Sequence, residues 1–239
     1  MKHILAVYQW CVAMPILLVM TIITALLTIF FSLLGMSRRG GYYPAHFWAK
    51  LWCILMFVKV EVKGRENIDP KTSYVFVANH QGAYDIYLVY GYLNHNFKWM
   101  MKKSLEKIPF VGAACRISKH IMVDRSSASA IQQTMDSAKR ILKDGMSLVV
   151  FPEGARTWNG KMRSFKRGAF KLAADFNLPL VPITINGAFD VMPRTTYMIK
   201  PGRTITLTIH RPIEQSGDSD KMMAECYEAI HSGLEKKYQ

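Results

Sequence analysis

The chain has 239 residues, half of them hydrophobic, and its 31 lysines and arginines outnumber its 17 aspartates and glutamates to give a net charge of +14. This basic excess predicts an anionic partner, which is nucleic acid, anionic lipid or a phosphorylated substrate. The four cysteines are scattered without a Cys-x-x-Cys or Cys/His pair, which argues against a zinc site and indicates a reduced, cytosol-facing chain without structural metal.

Residues 1–57 form a hydrophobic, membrane-anchoring segment. No charged side chain occurs in residues 4–37, a run longer than the ~20 residues that span a bilayer and too long for a signal peptide. A second apolar stretch, residues 45–58, places Trp48 and Trp52 on one helix face, as in an interfacial helix. Two arrangements stay open at this stage: one transmembrane helix with a surface helix, or a helical hairpin embedded in one leaflet.

Residues 58–239 are predicted to form an α/β domain, with a mainly parallel sheet flanked by helices on both faces. Apolar or alternating runs predict strands, and periodicity near 3.6 residues predicts the helices between them. The predicted strands are 59–63 at a sheet edge, 74–78, 97–101, 147–151, 180–185 and 204–209. The predicted helices are 86–93, 129–143, 167–176 and 218–237, the last capped by Asp218 or Ser219.

The strand at 74–78 ends in Asn79-His80-Gln81-Gly82, which puts an imidazole at the carboxyl end of a strand, where open α/β sheets bind ligands. Asp85 follows five residues after His80, about 140° away on a straight helix. A contact therefore requires the Gln81-Gly82 turn to bend one side chain toward the other. With that contact, Asp85 would hold one ring nitrogen and His80 could accept a proton. Without it, the pair is a surface histidine beside a helix-start aspartate.

A second polar loop, residues 152–157, follows the strand at 147–151 and is expected at the same sheet edge. Arg156 suits a phosphate because its planar guanidinium can bind two oxygens. Glu153 could orient Arg156 or hydrogen-bond a substrate hydroxyl. The alternative for this loop is an ordinary strand-to-helix connection with a surface ion pair.

Further basic groups surround these loops in the sequence. Lys102 and Lys103 alone are typical of a solvated face, but they add to the positive field of Arg156. The cations in residues 161–167 are expected to meet anionic lipid or a phosphorylated carrier. Residues 108–111 are apolar and are expected mainly in the core, with a slot for a hydrocarbon chain as the alternative. Nucleophile-elbow, Walker and dinucleotide-binding motifs are missing, which disfavours those enzyme classes.

Four motifs, in order, resemble those of the glycerolipid acyltransferases with a His-x4-Asp motif, and in particular the 1-acyl-sn-glycerol-3-phosphate (lysophosphatidate) acyltransferases. The motifs are His80-x4-Asp85, the block from Lys102-Lys103 to Val123-Asp124-Arg125, Phe151-Pro-Glu-Gly-Ala-Arg156 and Val181-Pro182-Ile183. The departures from the family pattern are Gly82, Ser104 and Ala155. Gly82 stands where serine is frequent, Ser104 where glutamate is common and Ala155 where threonine is usual, and none of these departures removes an ionisable group to which a chemical role is assigned.

The resemblance implies an O-acyltransferase that moves a fatty acyl group from acyl-CoA or acyl-acyl-carrier-protein to the sn-2 hydroxyl of lysophosphatidate. The product, phosphatidic acid, belongs to phospholipid biosynthesis. His80 would be the general base, and Asp85 would orient its ring. The implied substrate-binding residues are Glu153, Gly154, Arg156, Lys103 and Arg125, the last three for the phosphate.

The resemblance further implies no metal and no cofactor beyond the thioester co-substrate. The implied partners are lysophosphatidic acid, anionic membrane lipid and acyl carrier protein, without nucleic acid, at a membrane with the active site on its cytoplasmic face (the inner membrane in a bacterium). One alternative is the same chemistry on glycerol 3-phosphate, another lysophospholipid or an aminoacyl lipid. The other is a non-enzymatic basic membrane-surface protein.

Overall fold

The computed structural model describes residues 2–143 and 145–239, and within them it contains a seven-stranded sheet of order β1-β7-β6-β2-β5-β3-β4. Neighbouring strands are parallel, except that β6 and β7 are antiparallel. The strands are β1 (Lys59–Lys63), β2 (Val75–Ala78), β3 (Phe97–Lys102), β4 (Ile121–Val123), β5 (Ser147–Val150), β6 (Leu180–Asn186) and β7 (Thr204–Ile209). The predicted mainly parallel sheet is confirmed, with β1 at an edge.

The N-terminal segment contains the two predicted helices. Helix α1 runs from His3 to Gly40 with π-helical turns at Gln9–Ala13 and Ser32–Met36, and by length and composition it could cross a membrane. It kinks at Gly35, where φ is 80°. The chain then reverses, so that α2 (Tyr43–Leu55) packs against α1.

The remaining helices cover the sheet. They are α3 (Tyr84–Tyr92), α4 (Val111–Ile117), α5 (Ala128–Lys143), α6 (Gly168–Asp175), α7 (Ala188–Val191) and α8 (Ser219–Ser232). Asp218 caps α8 as predicted, because its side chain accepts hydrogen bonds from two backbone N–H groups of the first turn. The helix ends at Ser232 rather than at residue 237, because the Asn186 side chain there bonds the backbone of Gly233 and Glu235.

Strand β2 lies in the middle of the sheet, and its four residues are fully buried. Its side chains alternate between the two faces, as the pleat requires. Phe76 and Ala78 join the core under α1, α2 and α3, whereas Val75 and Val77 join the core under α6 and α8. The prediction of helices on both faces is therefore confirmed.

Helix α1 contacts the α/β domain near both of its ends. At one end the Gln9 side chain bonds the backbone oxygen of Tyr197 (3.1 Å) and the backbone N–H of Ile199 (3.2 Å). At the other end the buried Lys98 Nζ donates to the Ser37 carbonyl at 2.7 Å. Leu17 of α1 belongs to the same core as strand β2. The predicted boundary near residue 58 coincides with the start of β1, but the core is continuous across it.

Candidate active site

The turn after β2 brings His80 and Asp85 together. His80 Nδ1 lies 2.7 Å from Asp85 Oδ2, and the same oxygen accepts the backbone N–H of Gly82 at 2.9 Å. A Cβ at Gly82 would lie 2.8 Å from the Ala188 carbonyl oxygen, so a larger residue there would require this segment to shift. Asp85 is fully buried at the start of α3. The interpretation of His80 as a histidine unconnected to Asp85 is therefore wrong.

The contacts of the imidazole fix its orientation and its tautomer. Because the Asp85 carboxylate accepts the Nδ1–H bond, Nε2 keeps its lone pair and can accept a proton. The ring stacks on Phe151 with a centroid distance of 4.0 Å and an angle of 7°. The His80 carbonyl accepts the backbone N–H of Thr157 at 2.9 Å, which ties the two strand-end loops together. The side chain is 14% exposed and faces a cavity, as a general base requires.

Glu153 connects the backbone of two loops of the site. Its carboxylate is buried; one oxygen accepts the backbone N–H of His80 at 2.7 Å and the other that of Arg163 at 2.9 Å. Burial raises its pKa to about 7, against the opposing effect of these two hydrogen bonds. Among the described residues no ion pair joins Glu153 to Arg156, so the expectation that it orients Arg156 is wrong. Its contact with a substrate hydroxyl stays a prediction, because each carboxylate oxygen can accept a second hydrogen bond. Glu153 is a positioning residue for His80.

Gly154 lies under a pair of cations. Its φ is +76°, and a Cβ there would lie 2.8 Å from Lys166 Nζ and 3.3 Å from Arg125 Nη1. Lys166 is held over this loop because its backbone N–H donates to the Pro152 carbonyl at 3.1 Å. Desolvation, together with Arg125 and Arg163, lowers the pKa of Lys166. Within the described residues neither Lys166 nor Arg125 pairs with a carboxylate, so this cluster suits an anion.

Arg156 and Lys103 line the same cavity, but only Lys103 is paired with a carboxylate among the described residues. Arg156 lines the cavity, and its carbonyl accepts a bond from Arg194, whose guanidinium lies 4.0 Å from the ring centroid of Trp158. Lys103 directly follows β3, but its Nζ bonds the Asp124 carboxylate at 2.7 Å. Arg156 and Arg125 therefore remain predicted phosphate ligands with free charge, whereas Lys103 is already neutralised in part.

The cavity in front of His80 has a volume of about 1350 Å³, larger than the sites of most small ligands. One part is lined by the cations Arg125, Arg156 and Lys166. Another is lined by apolar groups of α4 and by Thr21, Ala25 and Thr28 of α1. The cavity thus offers a charged region and an apolar region to one elongated, amphiphilic ligand.

Two lining features were missed by the sequence analysis. Lys166 and the other cations of residues 161–167 were expected to meet anionic lipid or a phosphorylated carrier, but Lys166 lines the cavity in front of His80. The contribution of α1 was also missed, since its residues were read only as a membrane anchor. The spacing of Thr21, Ala25 and Thr28 at i, i+4 and i+7 was the available signal, because it places small residues along one helix face.

The family model described as Acyltransferase matches residues 59–186, which is more than half of the chain and includes His80, Asp85 and the loop at Arg156. The chain belongs to the acyltransferase family. The resemblance of the four motifs to this family is thereby confirmed. The matched range also contains Lys166, but not the N-terminal helices.

Curated relatives and a solved structure agree with this assignment. The 1-acyl-sn-glycerol-3-phosphate acyltransferase of Chlamydomonas reinhardtii is 32% identical over 79% of this chain and 58% of its own length. That of Pseudomonas aeruginosa is 31% identical over 73% of this chain and 70% of its own. The crystal structure of the LPA acyltransferase PlsC from Thermotoga maritima superposes with a TM-score of 0.79 at 26% identity, covering 96% of this chain and 93% of that one.

The extent of these matches differs between relatives. The chain spans 58% of the Chlamydomonas protein and 49% of a chloroplastic 1-acyl-sn-glycerol-3-phosphate acyltransferase of Arabidopsis thaliana. It spans 93% of the Thermotoga structure, and because the match covers 96% of this chain it extends into this chain's N-terminal helices.

Proposed function

We propose that this acyltransferase moves a fatty acyl group from acyl-CoA or acyl-acyl-carrier-protein to the sn-2 hydroxyl of 1-acyl-sn-glycerol 3-phosphate, which makes phosphatidic acid. The 2.7 Å contact between His80 and Asp85, inside a cavity with a cationic region and an apolar region, carries this proposal. The names of the relatives and of the Thermotoga structure support the acceptor.

In the proposed reaction, His80 Nε2 takes the proton of the sn-2 hydroxyl while the hydroxyl oxygen attacks the thioester carbonyl carbon. The C–S bond then breaks, and the thiolate receives the proton from the imidazolium. Asp85 stabilises that imidazolium through Nδ1. Transfer is direct and needs no covalent enzyme intermediate, metal or prosthetic group.

The cationic region supports a phosphate monoester as the acceptor's head group. Arg156 and Arg125 are the predicted ligands, and the missing side chain at Gly154 lets Arg125 and Lys166 lie close over this loop. Lys166 adds a third charge to this group. The acyl chains then extend into the apolar region between α1 and α4.

The contacts of α1 favour a monotopic attachment to the membrane. Gln9 and Ser37 are roughly 40 Å apart along the helix at 1.5 Å per residue, more than the ~30 Å of a bilayer core. Both positions contact the same α/β domain. If α1 crossed the bilayer between them, this one domain would have to lie on both sides of the membrane. We propose that α1 and α2 lie in one leaflet, on the cytoplasmic face, where the four free cysteines stay reduced.

The test is an assay of purified protein in lipid vesicles against a panel of lysolipids and acyl donors, with products identified by mass spectrometry. We expect phosphatidic acid from lysophosphatidate, and a loss of at least ~10²-fold in kcat for folded His80→Ala. Near-normal turnover of that variant would refute the mechanism. If other lysolipids are acylated and lysophosphatidate is not, the assignment of lysophosphatidate as the acceptor is refuted.

A further inference from the structure

Four apolar residues form an exposed rim near the mouth of the cavity. In this apolar rim Leu105 is 38% exposed, Ile108 44%, Phe110 49% and Ile131 47%. Leu105, Ile108 and Ile131 also line the cavity. The expectation that residues 108–111 pack mainly in the core is therefore wrong for Ile108 and Phe110. Clustered apolar exposure of this kind marks an interaction site.

The fold holds the tip of the rim outward at a cost in strain. Phe110 has φ 60° and ψ −51°, a conformation that a bulky side chain rarely adopts. Hydrogen bonds close the backbone on both sides, from the Gly112 N–H to the Ile108 carbonyl (2.8 Å) and from the Ala114 N–H to the Phe110 carbonyl (2.9 Å). A Cβ at Gly112 would overlap the Glu106 carbonyl, so the loop is tightly closed. The exposure of Phe110 is thus built into a rigid loop.

The neighbours of the rim identify what covers it. Helix α4 begins at Val111, directly after the rim, and packs against α1, whose outer face exposes many large apolar side chains. The rim therefore adjoins the surface that enters the membrane. Exposed cations flank it in the chain: Lys102, Lys103, Lys107 and Arg116. An apolar centre with cations around it matches a bilayer interface with anionic head groups.

We propose that the apolar rim inserts into the interface of a bilayer that contains anionic lipid, as a third membrane-contacting element beside α1 and α2. Insertion would seal one side of the cavity mouth against the membrane, so that a lipid can pass between bilayer and cavity without crossing water. This passage rests on the proposed function, whereas the insertion does not. Docking of an acidic carrier protein on the same rim is the competing outcome.

The insertion is tested by a spin label on Phe110→Cys, in a variant whose four native cysteines are replaced by serine or alanine, in phosphatidylethanolamine/phosphatidylglycerol vesicles. We expect the label to be accessible to oxygen and protected from a water-soluble nickel reagent. The control is a label at Lys221, which is exposed on α8, on the opposite face of the sheet from α1. Equal access of the nickel reagent to both positions would overturn the proposal.

The consequence for lipid passage is tested by Phe110→Asn, with Phe110→Trp as the matched control. Asparagine tolerates a positive φ, so the thermal midpoint should stay equal or rise. We expect kcat/KM for long-chain lysophosphatidate in vesicles to fall about fivefold or more, because asparagine cannot replace the burial of the exposed half of the phenyl ring in the bilayer. Activity on a water-soluble short-chain acceptor should stay constant, and tryptophan should preserve both activities.

The outcomes separate this proposal from the proposed function. Equal loss on both acceptors, or loss confined to reactions with an acyl-carrier-protein donor, would overturn membrane insertion as the task of the rim. If the wild-type protein acylates no lysophosphatidate of any length, the proposed function fails while the spin-label result still decides the insertion.

Discussion

Replacing Glu153 with glutamine tests the architecture of the site, because this buried carboxylate holds two loops with one oxygen each. The N–H groups of His80 and Arg163 lie 2.7 and 2.9 Å from its two oxygens. Glutamine offers only one acceptor, so one N–H must face an NH2 group. A buried donor left unsatisfied costs about 1–3 kcal/mol, and we expect a loss of stability of that size. We also expect kcat to fall tenfold or more, since misplacing a base by ~1 Å costs up to ~10²-fold.

The same substitution should change how stability depends on pH. Burial raises the pKa of Glu153 from 4.5 to about 7, so between these values the folded protein binds this proton more tightly than the unfolded chain. Its contribution is fully present below pH ~4.5 and is lost as the pH rises through about 7. At about 1.4 kcal/mol per unit, the loss amounts to roughly 3 kcal/mol. Glutamine does not titrate, so the variant should lack this decline.

The assay is thermal unfolding in detergent micelles between pH 5 and 8, beside the kinetics in vesicles. One kcal/mol corresponds to a shift of roughly 2–4 °C for a protein of this size, so the expected decline is measurable. Glu214→Gln is the matched control, because Glu214 is exposed. If the thermal midpoints of wild type and Glu153→Gln depend on pH in the same way and kcat is unchanged, the role of Glu153 in positioning His80 is refuted.

Three further substitutions address the other groups of the site. Asp85→Asn keeps the shape of the buried side chain but removes its charge, so kcat should fall ~10²-fold or more with little change in KM; an unchanged kcat would contradict the orienting role. Arg156→Lys should mainly raise the KM for lysophosphatidate, because bidentate contact is lost, and a rise confined to the acyl-donor KM would assign Arg156 to the other substrate. Lys166→Gln should also raise the acceptor KM, about tenfold, whereas Lys161→Gln, at an exposed position of the same segment, should not. Steady-state kinetics with each substrate varied in turn measures all three.

The placement of His80 could be predicted because it depends on local rules. An apolar strand that ends abruptly in polar residues marks the carboxyl edge of a parallel sheet, and β2 and β5 are indeed neighbours there. The spacing to Asp85 was ambiguous, because a straight helix would have kept the two side chains apart. In the structure the turn is closed by the bond from the Gly82 N–H to Asp85, and Gly82 packs against the Ala188 carbonyl, far away in the chain.

The tasks of Glu153 and Lys166 could not be predicted from the sequence for a related reason. Both depend on how two loops pack on each other, through the bond from the Arg163 N–H to Glu153 and that from the Lys166 N–H to Pro152. A cluster of cations in a polar segment has the same composition whether it faces water or a cavity. Only the tertiary structure distinguishes Lys166 from its exposed neighbours.

The short elements β4 and α4 were missed because they offer too little periodicity. Three residues in β4 and seven in α4 cannot show a pattern against the surrounding apolar sequence. The same apolar composition suggested a core position for residues 108–111. Their exposure is a property of the closed loop around Phe110, whose backbone conformation the residue type itself disfavours.

Because α1 contributes a wall to the cavity, the proposed anchoring and the proposed turnover depend on the same helix. Removing the first 40 residues would open the cavity on the side of Thr21, Ala25 and Thr28, so we expect the truncated chain to lose turnover even if α2 and the apolar rim still bind vesicles. Substitutions along α1 are therefore expected to be under two constraints. The outward face should tolerate any apolar side chain, whereas the cavity wall at Thr21, Ala25 and Thr28 should tolerate only small ones. A phenylalanine at Ala25 should abolish turnover while leaving membrane attachment intact.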